Sequence, residues 1–392
     1  MSAHPESSLD ATIATTYPEY SLDAAMAKLF SQTSATRAAC DIEAKDLVGG
    51  QVVVPVTVQG NCSYSVYAGP ELEFVVQFRL KSLMLESETM TLAREIYGSL
   101  VPSVSFHGQL GDDHGKEPLF IYVMNRIQGI SYLDFALANG SPENSDENFA
   151  WRKTFMSDVA RYGPPSVFPY PPNLTTKMPL HFLKSKVLIG YSFFALSWKA
   201  PQEVDSDYRE NLRRTYVEDL QQLLHCLPPR FHQVIQKCLS SMEAILSLPM
   251  VLLHRDFSSC NIMVDGTSCH LTGVIDWAEA EICPFGQNLD TLKDITGALH
   301  LKNGWRRYEG YEALQDTFWS TFQDEVGDLS AETMETIKTA RIMGLLRCRG
   351  FTPRLANMPP ATPICDDETG RYNMLSLDAF LINPTLRFDD LN

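Results

Sequence analysis

The stretch that most limits how this chain can fold is residues 251–276, VLLHRDFSSCNIMVDGTSCHLTGVID. It is an isolated β-rich island in a second half that otherwise carries long helical patterns. An apolar run, Val251–Leu253, delivers His254-Arg255-Asp256, and Asn261 follows in a loop. A short run, Ile262–Val264, turns at Asp265-Gly266, and a second, Leu271–Ile275, ends at Asp276-Trp277. Turn residues between short apolar runs predict a loop with Asp256 and Asn261 at its two ends, then a hairpin that returns Asp276 to the same place. One amide and one carboxylate, Asn261 and Asp276, form a hard oxygen set. Such a set suits Mg²⁺, whereas a transition metal would recruit the cysteines and histidines of the segment.

The surroundings of the island predict an α+β chain of two lobes, for which 392 residues are ample. After a polar start and a helical pattern at Leu22–Phe30, strand-like runs occur at Gln51–Val58, Tyr64–Tyr67, Phe74–Arg79, Val104–His107 and Leu119–Met124. One helical spacing, Leu83, Leu92, Ile96 and Leu100, separates the third run from the fourth. Residues 1–125 are therefore expected to form a small antiparallel β lobe. Beyond Ile127-Gln128-Gly129 the pattern turns helical over Asn148–Tyr162, Asp207–Leu224, Phe231–Leu246 and Ser330–Leu346, giving a larger helical lobe over residues 126–392. The proline-rich segment Gly163–Pro179 reads as a substrate-shaping insertion.

Several function classes fall away. With 32 Lys and Arg against 48 Asp and Glu, the formal charge of −16 makes a nucleic-acid partner unexpected. The longest apolar stretch, Val187–Trp198, is too short to span a bilayer, and the first residues lack the basic start and apolar core of a secretory signal. No membrane association is expected. Nine scattered cysteines without a C-x-x-C pair point to reduced thiols in a cytoplasmic protein rather than to a disulfide framework or a zinc site. Oligomeric state is not legible.

Phosphoryl transfer needs a carboxylate to orient an attacking hydroxyl or amine and two oxygen ligands for Mg²⁺; Asp256 suits the first task, Asn261 and Asp276 the second. The pattern H-x-D-x-x-x-x-N followed by I-D-W resembles the aminoglycoside phosphotransferase and choline kinase-like family. The ending WAEAEICPFG resembles its fungal phosphotransferase-family group. The resemblance extends over about residues 51–292. Tyr122–Gly129 (YVMNRIQG) is similar to the family's hinge, and Gln59–Val66 (QGNCSYSV) to the turn that covers the triphosphate. It implies a protein-kinase-like two-lobe fold and an ATP- and Mg²⁺-dependent small-molecule kinase with a metabolite substrate. It also implies that adenine meets the backbone at Val123, Met124 and Asn125, and that Gly60 and Ser63 lie over the phosphates.

The sequence departs from the family in the third strand. Gln77 stands where a Lys or Arg grips the phosphates; Arg79, on the same strand face, could supply the charge, with Glu86 or Glu88 as its acidic partner, Glu88 fitting the family spacing to Leu92 better. After Asp276-Trp277, Ala278, Glu279 and Pro284-Phe285-Gly286 replace the bacterial Glu and Gly-Asp-Pro. Gln77 leaves two other readings open: a nucleotide- or metabolite-binding protein without turnover, and the same fold redeployed for another reaction. His254 is expected to fix the loop rather than act as a base, Cys260 to be inert, and Trp277 to be apolar support.

Overall fold

In Phe74–Leu80 and Leu119–Asn125 alternate residues are apolar, so one face of each strand is available for a core. The computed structural model, which describes residues 21–60, 62–112, 115–161, 193–300, 303–327, 329–354 and 358–391, builds a five-stranded antiparallel sheet on them. Its strands are β1 (Val54–Pro55), β2 (Ser63–Ala68), β3 (Phe74–Leu80), β4 (Val104–Leu110) and β5 (Leu119–Asn125), in the order β1-β2-β3-β5-β4. Helices α1 (Leu22–Ser31) and α2 (Arg37–Val48), capped by the Ser21 and Thr36 hydroxyls, supply Met26, Leu29, Cys40 and Ala44 to the core. Across it stand Tyr64, Val66, Val76, Phe78 and Ile121. The run Gln51–Val58, expected as a full strand, pairs only at Val54 and Pro55; Pro55 has no N–H to give to a ladder.

These elements form one compact unit, residues 1–84 with 104–126; the second comprises residues 85–103 and 127–392. Helix α3 (Ser87–Tyr97) groups with the second unit although it falls between β3 and β4 in sequence. Its last residue explains this: the Tyr97 hydroxyl donates to the Leu252 carbonyl at 2.7 Å, and its ring lies 4.7 Å from Phe193 and 4.9 Å from Trp277.

The second unit continues through β6 (Ile130–Ser131), α4 (Tyr132–Asn139), α5 (Asp146–Ala160), α6 (Phe194–Lys199), α7 (Ser206–Cys226), α8 (His232–Ser240) and α9 (Met242–Ser247). The helix expected over Phe231–Leu246 is broken at Ser241 into α8 and α9. Then come β7 (Met250–Leu253), β8 (Ile262–Val264), β9 (Leu271–Val274) and β10 (Glu281–Pro284). β7 pairs with β10, and β8 lies between β6 and β9. Gly129 brings the chain in beside β8 at φ +114°, where an added methyl would overlap the Val264 carbonyl. The chain ends through α10 (Lys293–Thr296), a hairpin of β11 (Gly297–His300) and β12 (Gly304–Arg307), then α11 (Tyr311–Val326), α12 (Ala331–Arg349) and α13 (Arg371–Leu377). The Gly163–Pro179 segment lies outside the described residues. Among the described residues no helix is long and apolar enough to cross a membrane, and all nine cysteines are free thiols.

Helix α12 is buried along its last three turns, where Gly344 lies against the backbone of Gln287. A methyl there would overlap the Gln287 carbonyl, and a backbone group cannot swing aside as a side-chain tip can. Gly344→Ala is therefore expected to destabilise the protein by about 3 kcal/mol, read as a lower urea midpoint at unchanged slope. A midpoint equal to that of the unaltered protein would contradict this packing.

Candidate active site

Strand β7 is buried throughout and stops at His254, beyond which the chain must turn. The turn is tied by its own backbone: Ser258 N–H donates to the Asp256 carbonyl at 2.8 Å, and Asn261 N–H to the Ser258 carbonyl at 2.9 Å. The Asn261 side chain then reaches back across the loop. Its Nδ2 donates to the Asp256 carbonyl at 2.9 Å and to Asp256 Oδ2 at 2.8 Å. With Nδ2 committed, Oδ1 is the amide atom left to face an incoming group.

The hairpin of β8 and β9 returns as the sequence implies. Ile275 N–H donates to the Asn261 carbonyl at 2.9 Å, so the next residue, Asp276, is anchored beside Asn261. Asp276 adopts φ 60°, ψ 64°, a left-handed conformation uncommon for a residue with a Cβ and best tolerated by Asp and Asn. Asp256, Asn261 and Asp276 thus share one loop–hairpin unit. An amide oxygen and a carboxylate, as in Asn261 and Asp276, are donors of the type a hard cation such as Mg²⁺ takes, so the residue types present fit it. Among the described residues no cluster of three His, Cys, Asp or Glu offers a competing metal site.

His254 does what the sequence suggests. It is buried, and its Nε2 donates to the Ile275 carbonyl at 2.9 Å, joining the start of the loop to the end of the hairpin. Burial holds its pKa below the ordinary value, outweighing the Ile275 carbonyl and the Asp276 and Asp256 carboxylates, which act the other way. A neutral imidazole donating from Nε2 is a strut. Trp277 closes the floor: its Nε1 donates to the Val274 carbonyl at 2.9 Å, and its ring meets His254 edge-on at 4.8 Å. Burial raises the pKa of Cys260, and the charges of Asp256 and Asp134 add to this, as befits an inert thiol.

Asp256 lines a cavity of about 280 Å³ that lies wholly within the second unit. Its walls include Glu279, Asp290, Arg255, Arg347, Arg349 and Arg354. None of the last three arginines was singled out from the sequence. The signal was there, however: RCRGFTPR, residues 347–354, is a basic run in a strongly acidic chain.

The remaining expected residues lie in the first unit, except Glu88. The β2–β3 register sets Ser63 opposite Arg79 and Ser65 opposite Gln77. Gln77 Nε2 donates to the hydroxyls of Ser63 and Ser65, both at 3.2 Å, and its Oε1 accepts from Arg79 Nη1 at 3.3 Å. Arg79 is buried and donates from Nε to the Leu83 carbonyl at 2.8 Å, so it is not a surface charge. Gly60 is exposed in the β1–β2 turn, where the buried Gln59 amide bonds the backbone of Val56 and Ser65. On β5, Val123 and Met124 pair with neighbours on both sides, and Asn125 pairs with Phe74 of β3. Glu88 stands exposed in the first turn of α3.

A family profile described as "Phosphotransferase enzyme family" matches residues 73–314, more than half of the chain. A search of curated proteins finds no match. Among solved structures, a choline/ethanolamine kinase family protein from Mesorhizobium loti is 17% identical, with 93% of this chain and 96% of that one covered and a TM-score of 0.42. An ethanolamine kinase from Plasmodium vivax is 11% identical, covering 88% and 86%, TM-score 0.40. An aminoglycoside phosphotransferase from Streptomyces rimosus is 12% identical, covering 80% and 99%, TM-score 0.39. The family assignment rests on the profile match and not on these structural likenesses.

The two bonds from Asn261 have a measurable weight. Asn261→Ala is expected to cost the metal-free protein about 1 kcal/mol in urea unfolding, since the partners are partly exposed. Asn261→Asp is expected to cost more, because it sets a second carboxylate against Asp256. An Asp variant as stable as the original would show that these two side chains do not meet.

Proposed function

The chain belongs to the phosphotransferase enzyme family, and we propose that it transfers the terminal phosphoryl group of ATP to a hydroxyl or amine of a small molecule. The observation that carries this reading is the Asp256 carboxylate, held by Asn261 on the wall of a cavity of metabolite size. For an alcohol acceptor, the substrate oxygen forms a bond to the γ-phosphorus while the bond from that phosphorus to the β-bridging oxygen breaks. ADP departs, and the hydroxyl proton passes to Asp256. Asn261 Oδ1 and Asp276 would hold Mg²⁺, which when bound offsets the charge of the phosphates.

Arg79, with Gln77 and Ser63 on the same face of the β2–β3 pair, is the group proposed to meet the nucleotide phosphates. The backbone at Val123, Met124 and Asn125 and the turn at Gly60 are the proposed adenine and triphosphate contacts. Nine free thiols suit a reducing compartment, and we place the protein in the cytoplasm.

One observation favours a second reading, a binding protein without turnover: Gln77 gives its amide to two serines where a cation would grip phosphate. Asp256→Asn separates the two. On the phosphotransferase reading this variant loses 10²–10⁴-fold in kcat, roughly the worth of a general base, and keeps its nucleotide Kd within about threefold. Transfer at an undiminished rate would remove Asp256 from the chemistry.

A further inference from the structure

We propose that the acceptor carries an uncharged planar ring system, seated in a second, ring-lined cavity that borders the same loop as Asp256. Binding of such a compound stands on the cavity alone; naming it the acceptor rests on the phosphotransferase reading.

The cavity lies within the second unit and measures about 440 Å³, in the range of small-molecule sites. Among the described residues six aromatic rings line it: Tyr132, Phe135, Trp151, Trp305, Tyr308 and Tyr372. Leu133 and Leu137 join them, and Leu137 is 76% exposed. Several of the rings are fixed by their neighbours. Phe135 meets Trp151 edge-on at 5.2 Å, Tyr132 stacks on Phe155 at 4.8 Å, and Trp305 Nε1 donates to the Ser376 hydroxyl at 3.2 Å. Rings held in this way keep apolar surface open to water, and a flat ligand that covers it gains the free energy of burial.

Three charged side chains line the same cavity, and each is already engaged. Glu143 is paired with Arg306. Arg152 donates from Nη1 to the Glu143 carbonyl at 2.8 Å, and its guanidinium lies 3.4 Å from the centre of the Tyr308 ring. Asp294 lies 3.8 Å from Lys293 Nζ, which also holds Asp290. Burial keeps the Asp294 carboxyl above its ordinary pKa, against the pull of Lys293 and Arg349. An ammonium ligand would meet Arg152 on Tyr308 instead of an open ring face, and an anion would meet Glu143 and Asp294. The lining therefore selects a ring without charge.

This cavity and that of Asp256 have neighbouring walls. Ser259 lines it three residues after Asp256, so the two Cα atoms are at most about 11 Å apart. Leu133 N–H donates to the Ser259 carbonyl at 3.0 Å and fastens α4 to the loop. Tyr372 lines this cavity, and the next residue, Asn373, lines the other. A hydroxyl on a short arm from the seated ring spans that distance.

Fluorescence titration of the full chain with N-phenyl-1-naphthylamine, an uncharged probe that brightens in apolar surroundings, tests the site without turnover. The probe should saturate one site and be displaced by 2-naphthol, but not by choline or benzoate. Ala136→Trp, at an exposed position of the lining, should weaken probe binding about tenfold or more, and Leu137→Glu about threefold or more. Leu137 is so exposed that its replacement leaves the melting temperature near the original. No saturable signal, displacement by choline or benzoate but not by 2-naphthol, or probe affinity unchanged in both variants would each overturn the proposal. So would a dimer in sedimentation that Leu137→Glu splits, in a protein that binds no probe, since a second copy of the chain would then fill the cavity. Transfer assays with ATP and aryl alcohols keep the two claims apart. A raised KM at unchanged kcat in Ala136→Trp supports this seat for the acceptor, and an unchanged KM overturns it. Transfer that survives Asp256→Asn while the probe still binds sinks the assignment of Asp256 and leaves the cavity site standing. Transfer lost in Asp256→Asn, in a protein that binds no probe, does the reverse.

Discussion

A single side-chain amide holds the functional centre together. Asn261 Nδ2 binds both the carbonyl and the carboxylate of Asp256, while the Asn261 carbonyl accepts from Ile275 and thereby fixes where Asp276 begins. His254 adds a second tie from the loop's start to the same Ile275, through its carbonyl. Residues twenty apart in sequence are thus fastened by a few short hydrogen bonds whose donors and acceptors are each other's partners. In such a set, loosening one member loosens the rest. The left-handed backbone at Asp276 is retained in this setting because both sides of it are fastened.

Beneath this network lies an aromatic floor. Trp277, Phe193, Phe257 and Tyr97 are buried, with Phe193 stacked on Phe257 at 4.5 Å and on Tyr97 at 4.7 Å. Close packing of large rings leaves the loop little room to shift. Helix α12 performs the matching task for the other wall of the cavity. Gly344 lets it lie directly on Gln287, and the same Gln287 accepts from Arg347 through its side chain. Backbone contact and guanidinium placement are thus set by one residue, which couples the packing of the second unit to an arginine on the cavity wall.

Much of this was readable beforehand for an identifiable reason. Strand runs with period two, the turn at Asp265-Gly266 and the Asp–Asn spacing are local signals, and they place β2, β3, β5 and the loop–hairpin where the structure has them. What escaped was set by partners distant in sequence. Helix α2 has a weak apolar stripe, burying only Cys40 and Ala44, and the two-residue β1 is decided by Pro55. The arginine wall depends on Asp219 of α7 meeting Arg347 and Arg354 more than a hundred residues later, which no spacing rule announces. The burial of Arg79 is likewise a property of the folded sheet, since strand register is weakly encoded by one strand alone.

The central claim is that Asp256, Asn261 and Asp276 form a working phosphoryl-transfer site. The most direct test is calorimetric titration of ATP into the purified protein with and without Mg²⁺, repeated for Asp276→Asn. The account predicts binding that strengthens at least tenfold with Mg²⁺ in the original protein and loses most of that enhancement in the variant. No binding at millimolar ATP, or binding indifferent to Mg²⁺, would contradict it.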